Sequence, residues 1–370
     1  MTPEHDQLRA AVRELLADRS PSAAVRRWME SGTGYDPEVW RLMSEQLGLH
    51  GLALPERYGG AGGSLVELGI VLEELGRALL PSPFFATVAL AGQVLAASGD
   101  EAACERWLPG IADGSLTATL ALAEEGGSWR PEDVATKAIS VGDGWKLSGT
   151  KMFVIDGHSA ELLLVVARSE AGPGLFAVDG EAPGVYRTRL DTLDLTRRLG
   201  RIELVDVPAV RVGPDGDATA FLHEVLDLAL VALAAEQVGG AQTCLDAAVG
   251  HAKVRVQFDR PIGSFQAIKH KCADMLLRVE AARSAARHAA AVAEEPAERS
   301  AATVVAAAYC AEAFTFAAKE NLQIHGGIGY TWEHDAHLFL RRAKSSEHLF
   351  GAPAAHRTRL AELTGIGGPR

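Results

Sequence analysis

The chain has 370 residues, of which 48% are hydrophobic and 23% are charged, and its formal net charge is −12 at pH 7. This length is too great for one ordinary core and predicts two or three domains. The acidic balance argues against nucleic acid as the main partner, because phosphate binding relies on clustered Lys and Arg.

Targeting and redox signals are weak. No apolar run approaches the roughly 18 residues that a bilayer-crossing helix needs, and the first residues lack the basic and apolar regions of a signal peptide. The four cysteines are scattered without a Cys-x-x-Cys pair, which favours buried thiols over disulfides or metal ligands: Cys104, Cys244, Cys272 and Cys310. We therefore expect a cytoplasmic protein with no membrane partner.

Residues 1–115 are predicted to form an N-terminal helical domain. Leu8, Val12 and Leu16 recur at helical spacing. A loop rich in Gly then precedes Ser64, and Glu67 follows three residues later, which predicts a helix that begins with a capping box.

Residues 116–217 are predicted to form a β domain. Short apolar runs alternate with Gly and Asp turns, at the spacing of a small sandwich or barrel. The predicted strands and hairpin cover residues 116–122, 142–154, 162–167, 174–178 and 201–204.

Residues 218–370 are predicted to be helical again. Four long stretches of helical periodicity with short connections indicate an antiparallel bundle: residues 221–253, 262–295, 300–325 and 335–349. Pro296, with Ser300 as the helix cap, is expected to separate the second and third helices. The predicted fold class is α+β, with a helical domain, a β-sandwich or barrel domain, and a four-helix bundle.

Two segments of the bundle carry residues suited to a phosphate group and a flat ring. The first reads Arg255-Val-Gln-Phe-Asp-Arg-Pro-Ile-Gly-Ser-Phe-Gln266, and the second reads Gln323-Ile-His-Gly-Gly-Ile-Gly-Tyr330. An Arg is a permanent planar cation that suits a phosphate. Phe258 offers a ring for stacking, Gln323 an amide, and Gly327 a close backbone approach.

Together, and in this order, the two segments resemble the acyl-CoA dehydrogenase flavoproteins. The order of helical, β and helical regions resembles that family along essentially the whole chain. The resemblance implies FAD at a subunit interface, an oligomer, an acyl-CoA substrate and an electron-transferring flavoprotein as electron acceptor. It also implies that a neighbouring subunit's FAD is contacted by Arg255, Phe258, Gln266, Gln323 and Gly327.

The flavin-ring segments of the family are altered in this chain. Where the family has Thr-Glu-Pro-Gly-x-Gly-Ser-Asp, the sequence reads Ala123-Glu-Glu-Gly-Gly-Ser128, and Phe153-Val-Ile155 stands for Trp-x-Thr. The resemblance leaves backbone donors at Leu122 and Ala123, the Ser128 hydroxyl for the pyrophosphate, and the Phe153 ring. Both Thr hydroxyls are lost.

The family's catalytic carboxylate is missing at both of its usual positions. A base must lie within hydrogen-bond reach of the substrate α-proton, but these positions hold Phe350 and Ala229. Glu236, two helical turns after Ala229, is the remaining candidate base, with a structural hydrogen bond as the alternative. Glu347 is a weaker candidate, and the nearby histidines lack the ligand set of a metal site.

Four functional hypotheses follow. The chain is a homo-oligomeric dehydrogenase with a displaced base, or the auxiliary half of a hetero-oligomer whose partner supplies the Glu. The second hypothesis resembles the paired dehydrogenases of steroid side-chain CoA esters, whose auxiliary subunits share a Gly-x-Pro-x-x-His-Arg end like Gly351 to Arg357. A flavin monooxygenase or oxidase on the same fold, and a non-catalytic subunit that only completes a FAD site, stay open.

Overall fold

The computed structural model describes residues 2–366, which fall into two compact units. The first contains the chain up to Arg27, Gly69–Leu80, and everything from Leu230 onward, and we call it the bundle unit. The second, the barrel unit, contains Trp28–Leu68 and Pro81–Ala229. These units are not consecutive segments, so the division into 1–115, 116–217 and 218–370 stays a prediction from sequence.

Helices occupy both ends of the chain. A π-helical stretch, Phe85–Gly92, runs directly into the fifth α-helix. The α-helices are α1 (Pro3–Arg19), α2 (Ser22–Glu30), α3 (Pro37–Glu45), α4 (Leu65–Arg77), α5 (Gln93–Ala97), α6 (Glu101–Asp113), α7 (Thr219–Val254), α8 (Gln266–Ala291), α9 (Pro296–His325), α10 (Ala336–Ser346) and α11 (Pro353–Leu363).

The start of α4 confirms the predicted capping box. The Ser64 N–H donates to Glu67 Oε2 at 2.8 Å, and the Val66 N–H donates to Ser64 Oγ at 3.1 Å. These bonds satisfy backbone donors that the first turn of a helix leaves unpaired.

A seven-stranded sheet forms the core of the barrel unit. The strands are β1 (Ala118–Ala121), β2 (Lys137–Val141), β3 (Gly144–Ile155), β4 (Leu162–Ser169), β5 (Gly172–Asp179), β6 (Val185–Arg189) and β7 (Leu199–Val212). Pairing closes on itself through β4, β2, β3, β7 and β5, while β1 lies parallel to β4 and β6 pairs with β7. The closed ladder confirms the β domain and makes it a barrel, with a core that includes Leu147, Val165, Phe176 and Ile202.

The long helices of the bundle unit confirm the predicted bundle, with two differences at helix starts. Helix α9 begins at Pro296 and not after Ser300, because Pro suits the first helical position, where its missing N–H costs nothing. Helix α8 begins at Gln266, since a hairpin of β8 (Val256–Gln257) and β9 (Arg260–Pro261) and a 3₁₀ turn come first.

Helix α9 is a core helix of this unit. The expectation that no stretch is long and apolar enough to cross a bilayer was wrong, because the segment Pro296–Tyr330 meets both criteria, but 67% of its most apolar window is buried inside the protein. Three of the predicted buried thiols are buried, whereas Cys272 is only half-buried on α8, so that part of the prediction was wrong.

Helix α4 packs closely on α7 through glycine. A Cβ at Gly76 would lie 2.1 Å from the Glu236 carbonyl oxygen, and one at Gly239 would lie 1.8 Å from the Glu73 carbonyl oxygen. Only glycine permits this approach of the two backbones. Buried Glu74 then joins α4 to α1, because it accepts from Arg9 Nη1 at 3.0 Å and from Arg13 Nη2 at 2.8 Å.

Candidate functional site

The first cofactor segment forms an exposed hairpin in the bundle unit. Phe258 and Asp259 occupy its two-residue turn with φ values of +53° and +58°, as in a type I′ turn. The Phe258 side chain is 85% exposed and meets Phe265 edge-on, with ring centroids 6.1 Å apart. Positive φ is uncommon for a bulky residue, and strain of this kind collects at functional sites. The turn therefore presents an aromatic ring to solvent, where a ligand can reach it.

Arg255 lies at the base of this hairpin. Its N–H donates to the His251 carbonyl at 2.9 Å, and its own carbonyl accepts from the Ile262 N–H at 2.8 Å, so its backbone is fixed. The side chain is exposed, and within residues 2–366 no carboxylate pairs with the guanidinium. A fixed backbone with a cation available to an outside anion is suited to a phosphate.

The second segment is the turn that ends α9. Gly326 has a φ of +65°, and a Cβ at Gly327 would have no atom within 4 Å, so the backbone is open to an approaching ligand. Gln323 and, at the start of α8, Gln266 carry exposed amides. An exposed cation, a ring, amides and an open glycine turn fit the pyrophosphate and the flat rings of FAD.

The altered flavin-ring segment lies in the barrel unit, just after β1. Leu122 and Ala123 are buried, and in the described part of the chain their N–H groups make no backbone hydrogen bond, so two donors are available. The Ala123 carbonyl accepts from the Met152 N–H at 2.8 Å, which anchors the segment to β3. Backbone donors of this kind fit a flavin ring edge without the missing Thr hydroxyls.

Lys151 and Glu124 hold this segment in place. Lys151 is fully buried, and its Nζ donates to the Leu122 carbonyl at 3.0 Å and to Glu124 Oε1 at 2.7 Å. Burial lowers the pKa of Lys151 to about 8, against the opposing pull of Glu124. Burial raises the pKa of Glu124, but the charge and hydrogen bonds of Lys151 and Thr136 outweigh it, and the net direction is downward.

Ser128 and Phe153 are the other two residues of the barrel unit that were predicted to contact FAD. The Ser128 hydroxyl donates to Asp133 Oδ2 at 2.6 Å, so its role at a pyrophosphate stays a prediction. Phe153 has a φ of +57° and sits in a bulge where the register of β3 against β7 shifts. Bulges re-aim side chains, so this half-buried ring is presented away from the regular strand face.

The usual base positions are apolar and buried. Phe350 is 6% exposed in the turn after α10, and Ala229 is 2% exposed on α7. Gly351 follows with a φ of +119°, and His356 Nε2 lies 2.9 Å from its carbonyl oxygen, which fixes the turn. Neither position offers a group that could remove a proton.

Glu236 is placed in a buried ion pair. Its Oε1 accepts from Arg342 Nη1 at 3.0 Å, and both side chains are less than a tenth exposed. The pair supports the structural interpretation of Glu236, because a buried carboxylate without a partner would be costly. Glu347 is also engaged, by Lys344 and Thr315.

One feature of the site was not predicted. The pairing of Lys151 with Glu124 joins residues 27 apart in sequence. The only indication of this pair in the sequence was a Lys inside a predicted strand, two residues before Phe153. Among the described residues, no group of three or more His, Cys, Asp or Glu has the arrangement of a metal site.

Comparisons with known proteins match nearly the whole chain to one protein family. Family models describe residues 2–115 as an acyl-CoA dehydrogenase N-terminal domain, 119–207 as the middle domain and 220–364 as the C-terminal domain. The chain belongs to the acyl-CoA dehydrogenase family. It is therefore an oxidoreductase of a flavoprotein family that acts on CH–CH bonds.

Relatives and solved structures share this architecture. The chain is 37% identical over 355 residues to the acyl-CoA dehydrogenase IpdE2 of Mycobacterium tuberculosis, covering 95% of each chain. A variant of the steroid acyl-CoA dehydrogenase Tcur3481-Tcur3483 superposes with a TM-score of 0.91 at 36% identity over 98% of each chain. The ChsE4-ChsE5 complex of Mycobacterium tuberculosis superposes with a TM-score of 0.91 at 29% identity, over 100% of this chain and 99% of that one.

Proposed function

We propose that the chain is the subunit of a paired acyl-CoA dehydrogenase that lacks its own catalytic base. Its Arg255, Phe258 and Gln323 contact the FAD of a homologous partner subunit, and the partner supplies the catalytic carboxylate. The observation that carries this proposal is that the two usual positions of the base, Phe350 and Ala229, are both apolar and buried. The same chain carries the residues that we propose for the interface half of the cofactor site.

The chemistry requires two transfers from the acyl chain. A carboxylate removes the proton from the α-carbon, and FAD, when bound, accepts the hydride from the β-carbon, leaving a double bond between the two carbons. General-base removal of the proton is worth about 10²–10⁴-fold in rate. A phenyl ring and a methyl group cannot take that proton, and Glu236 is engaged with Arg342.

The names of two similar structures support a paired assembly. Tcur3481-Tcur3483 and ChsE4-ChsE5 are each named as a combination of two components. We propose the same arrangement for this chain, with a CoA thioester of a steroid-derived acid as the substrate class. Electron-transferring flavoprotein is the proposed acceptor of the electrons from reduced FAD.

The cofactor part of the proposal is tested by removing the free cation. Arg255→Ala should lower FAD occupancy of the assembled protein, because a charge-assisted contact to phosphate is lost. Arg41→Ala, which removes another exposed arginine, should leave FAD content unchanged. Equal flavin content in wild type and Arg255→Ala would contradict this site.

The pairing is tested by turnover with and without a partner. The chain is produced alone and together with a homologue that has Glu at the position of Phe350 or Ala229. Bleaching of bound FAD by a steroid-derived acyl-CoA is then followed without oxygen. We expect bleaching only in the co-produced assembly, and its loss when the partner's Glu is changed to Gln. Rapid turnover by this chain alone, or fast re-oxidation by O₂, would favour another reaction.

A further inference from the structure

Three histidine rings form a stack in the bundle unit that the proposed chemistry does not use. The ring centroids of His251 and His325 lie 4.2 Å apart, and those of His325 and His334 also lie 4.2 Å apart, with interplanar angles of 32° and 40°. His251 is on α7, His325 is the last residue of α9, and His334 lies in the loop before α10. The stack, which we call the histidine stack, therefore joins segments that are distant in sequence.

The histidine stack adjoins both cofactor-facing turns. The His251 carbonyl accepts the Arg255 N–H at 2.9 Å, so a hydrogen bond links the last turn of α7, which carries His251, to the residue that follows the helix. His325 follows Gln323 by two residues and directly precedes Gly326, whose φ is +65°. Movement of the outer rings relative to the middle ring would move the two turns relative to each other.

Hydrogen bonds indicate how two of the rings are protonated. His325 Nδ1 lies 2.9 Å from the Asn321 carbonyl oxygen, which can only accept, so Nδ1 carries the proton. The Ala336 N–H donates to His334 Nδ1 at 3.1 Å, so that nitrogen carries a lone pair. A proton added to His334 Nδ1 would face this donor and remove the bond.

The surroundings also disfavour a charged ring. The charged and titratable side chains around the histidine stack come from the residue after α7, from α2, from the loop before α10 and from α10: Arg255, Arg26, Asp335 and His337. Burial, the neighbouring rings and Arg255 lower the pKa of His251. Burial and then His325 lower the pKa of His334, against the opposing charge of Asp335. That carboxylate is already paired with Arg26 Nε at 3.0 Å.

We propose that the histidine stack is a proton-sensitive clasp. Its stacked rings hold the Arg255 hairpin and the Gly326 turn together, and protonation of His251 and His334 in mildly acidic solution separates the two turns and weakens FAD binding. The proposal rests on the FAD site proposed above. It makes His251 and His334 positioning residues, since they act through Arg255 and the Gly326 turn.

The test compares FAD affinity across pH in the assembled protein. The dissociation constant of FAD is measured by flavin fluorescence between pH 8 and pH 5.5 for wild type and for His251→Phe/His334→Phe. That double variant keeps rings on both sides of His325 but cannot protonate them. We expect the wild-type constant to rise on the acidic side by up to about tenfold per pH unit for each ring that binds a proton, and the double variant to show a much flatter profile. His288→Phe, at an exposed histidine near the end of α8, should behave as wild type.

A second readout does not need the cofactor. Amide hydrogen exchange of residues 251–262 and 322–335, corrected for the intrinsic rate, should increase together on acidification in wild type and not in the double variant. Parallel pH profiles of wild type and double variant in either measurement would overturn the clasp. If FAD fails to bind at pH 8 while exchange still shows coupled loosening, the cofactor proposal fails and the clasp stands.

Discussion

Single residues in this chain are best understood through the charges they meet after folding. From sequence alone Glu236 was a carboxylate in an apolar helix, with a base and a structural contact as alternatives. The partner that favours the structural contact, Arg342, lies 106 residues away. Sequence periodicity reports which face of a helix is apolar, but it does not report which cation comes from another helix to that face.

The first prediction concerns this ion pair. Glu236→Gln should lower the unfolding free energy by about 3 kcal/mol, because it removes the carboxylate of a buried ion pair with Arg342. A double variant, Glu236→Gln/Arg342→Met, should recover much of that loss and still support flavin bleaching in the paired assembly. Thermal unfolding and anaerobic bleaching measure the two effects. Unchanged stability together with abolished bleaching would restore Glu236 as the base.

The second prediction uses the buried lysine of the barrel unit. The ordinary pKa of Lys151 is 10.5, and in the folded chain it is about 8. Below pH 8 both the folded and the unfolded state bind this proton, and the folded state carries the full cost of a buried ammonium. Between pH 8 and 10.5 only the unfolded state still binds it, so stability should rise with pH, by up to about 3 kcal/mol.

In Lys151→Met this alkaline rise should be absent. Lys146→Met, which removes an exposed lysine from the same strand, should keep it. Thermal midpoints measured from pH 7.5 to pH 10 provide the comparison. If the curves of wild type and Lys151→Met run parallel, the buried ammonium is not destabilising the fold.

At the scale of elements, most helices and strands follow from local patterns. The capping box at Ser64 and the apolar run at residues 162–167 both predicted real elements, α4 and β4. Strand β6 was missed because its residues are mostly exposed and it gains its pairing only from β7. The close approach of α4 and α7 also could not be predicted, because a glycine in a helix indicates either low helix stability or a close backbone contact.

The third prediction tests that approach. In an open helix, Gly→Ala stabilises by about 0.5–1 kcal/mol. At Gly239 the new methyl would meet the Glu73 carbonyl 1.8 Å away, so Gly239→Ala should instead destabilise by about 1–3 kcal/mol. Gly250→Ala is the matched control on α7, because nothing lies within 4 Å of its Cβ position. We expect the denaturant midpoint to fall for Gly239→Ala and to rise for Gly250→Ala, relative to wild type. Stabilisation of both variants would contradict a backbone contact.

At the scale of the whole molecule, the family and the order of its regions could be predicted, but the assembly could not. The motif around Arg255 and Phe258 indicates a partner through chemistry, because it presents a cation and a ring that is 85% exposed. The sequence does not distinguish a second copy from a homologue, since both would present the same kind of FAD site. That choice depends on which surface offers the missing carboxylate.

The last prediction concerns the surface that such a partner covers. Leu277 of α8 is 69% exposed and Leu276 is 49% exposed, while Val254 at the end of α7 is 75% exposed and Phe258 in the hairpin turn is 85% exposed. Exposed apolar groups of this density mark interaction surfaces, because burying them contributes about 25 cal/mol per Å². Leu277→Glu should therefore dissociate the assembly, and FAD should be lost with it, because a cofactor shared between chains stabilises the oligomer by mass action. Leu363→Glu, at a residue 50% exposed near the end of α11, should change neither property.

Sedimentation of wild type and both variants at micromolar concentration, with absorbance at a flavin wavelength, measures mass and cofactor together. A wild-type monomer that carries FAD would show that the interface half of the site serves some other purpose.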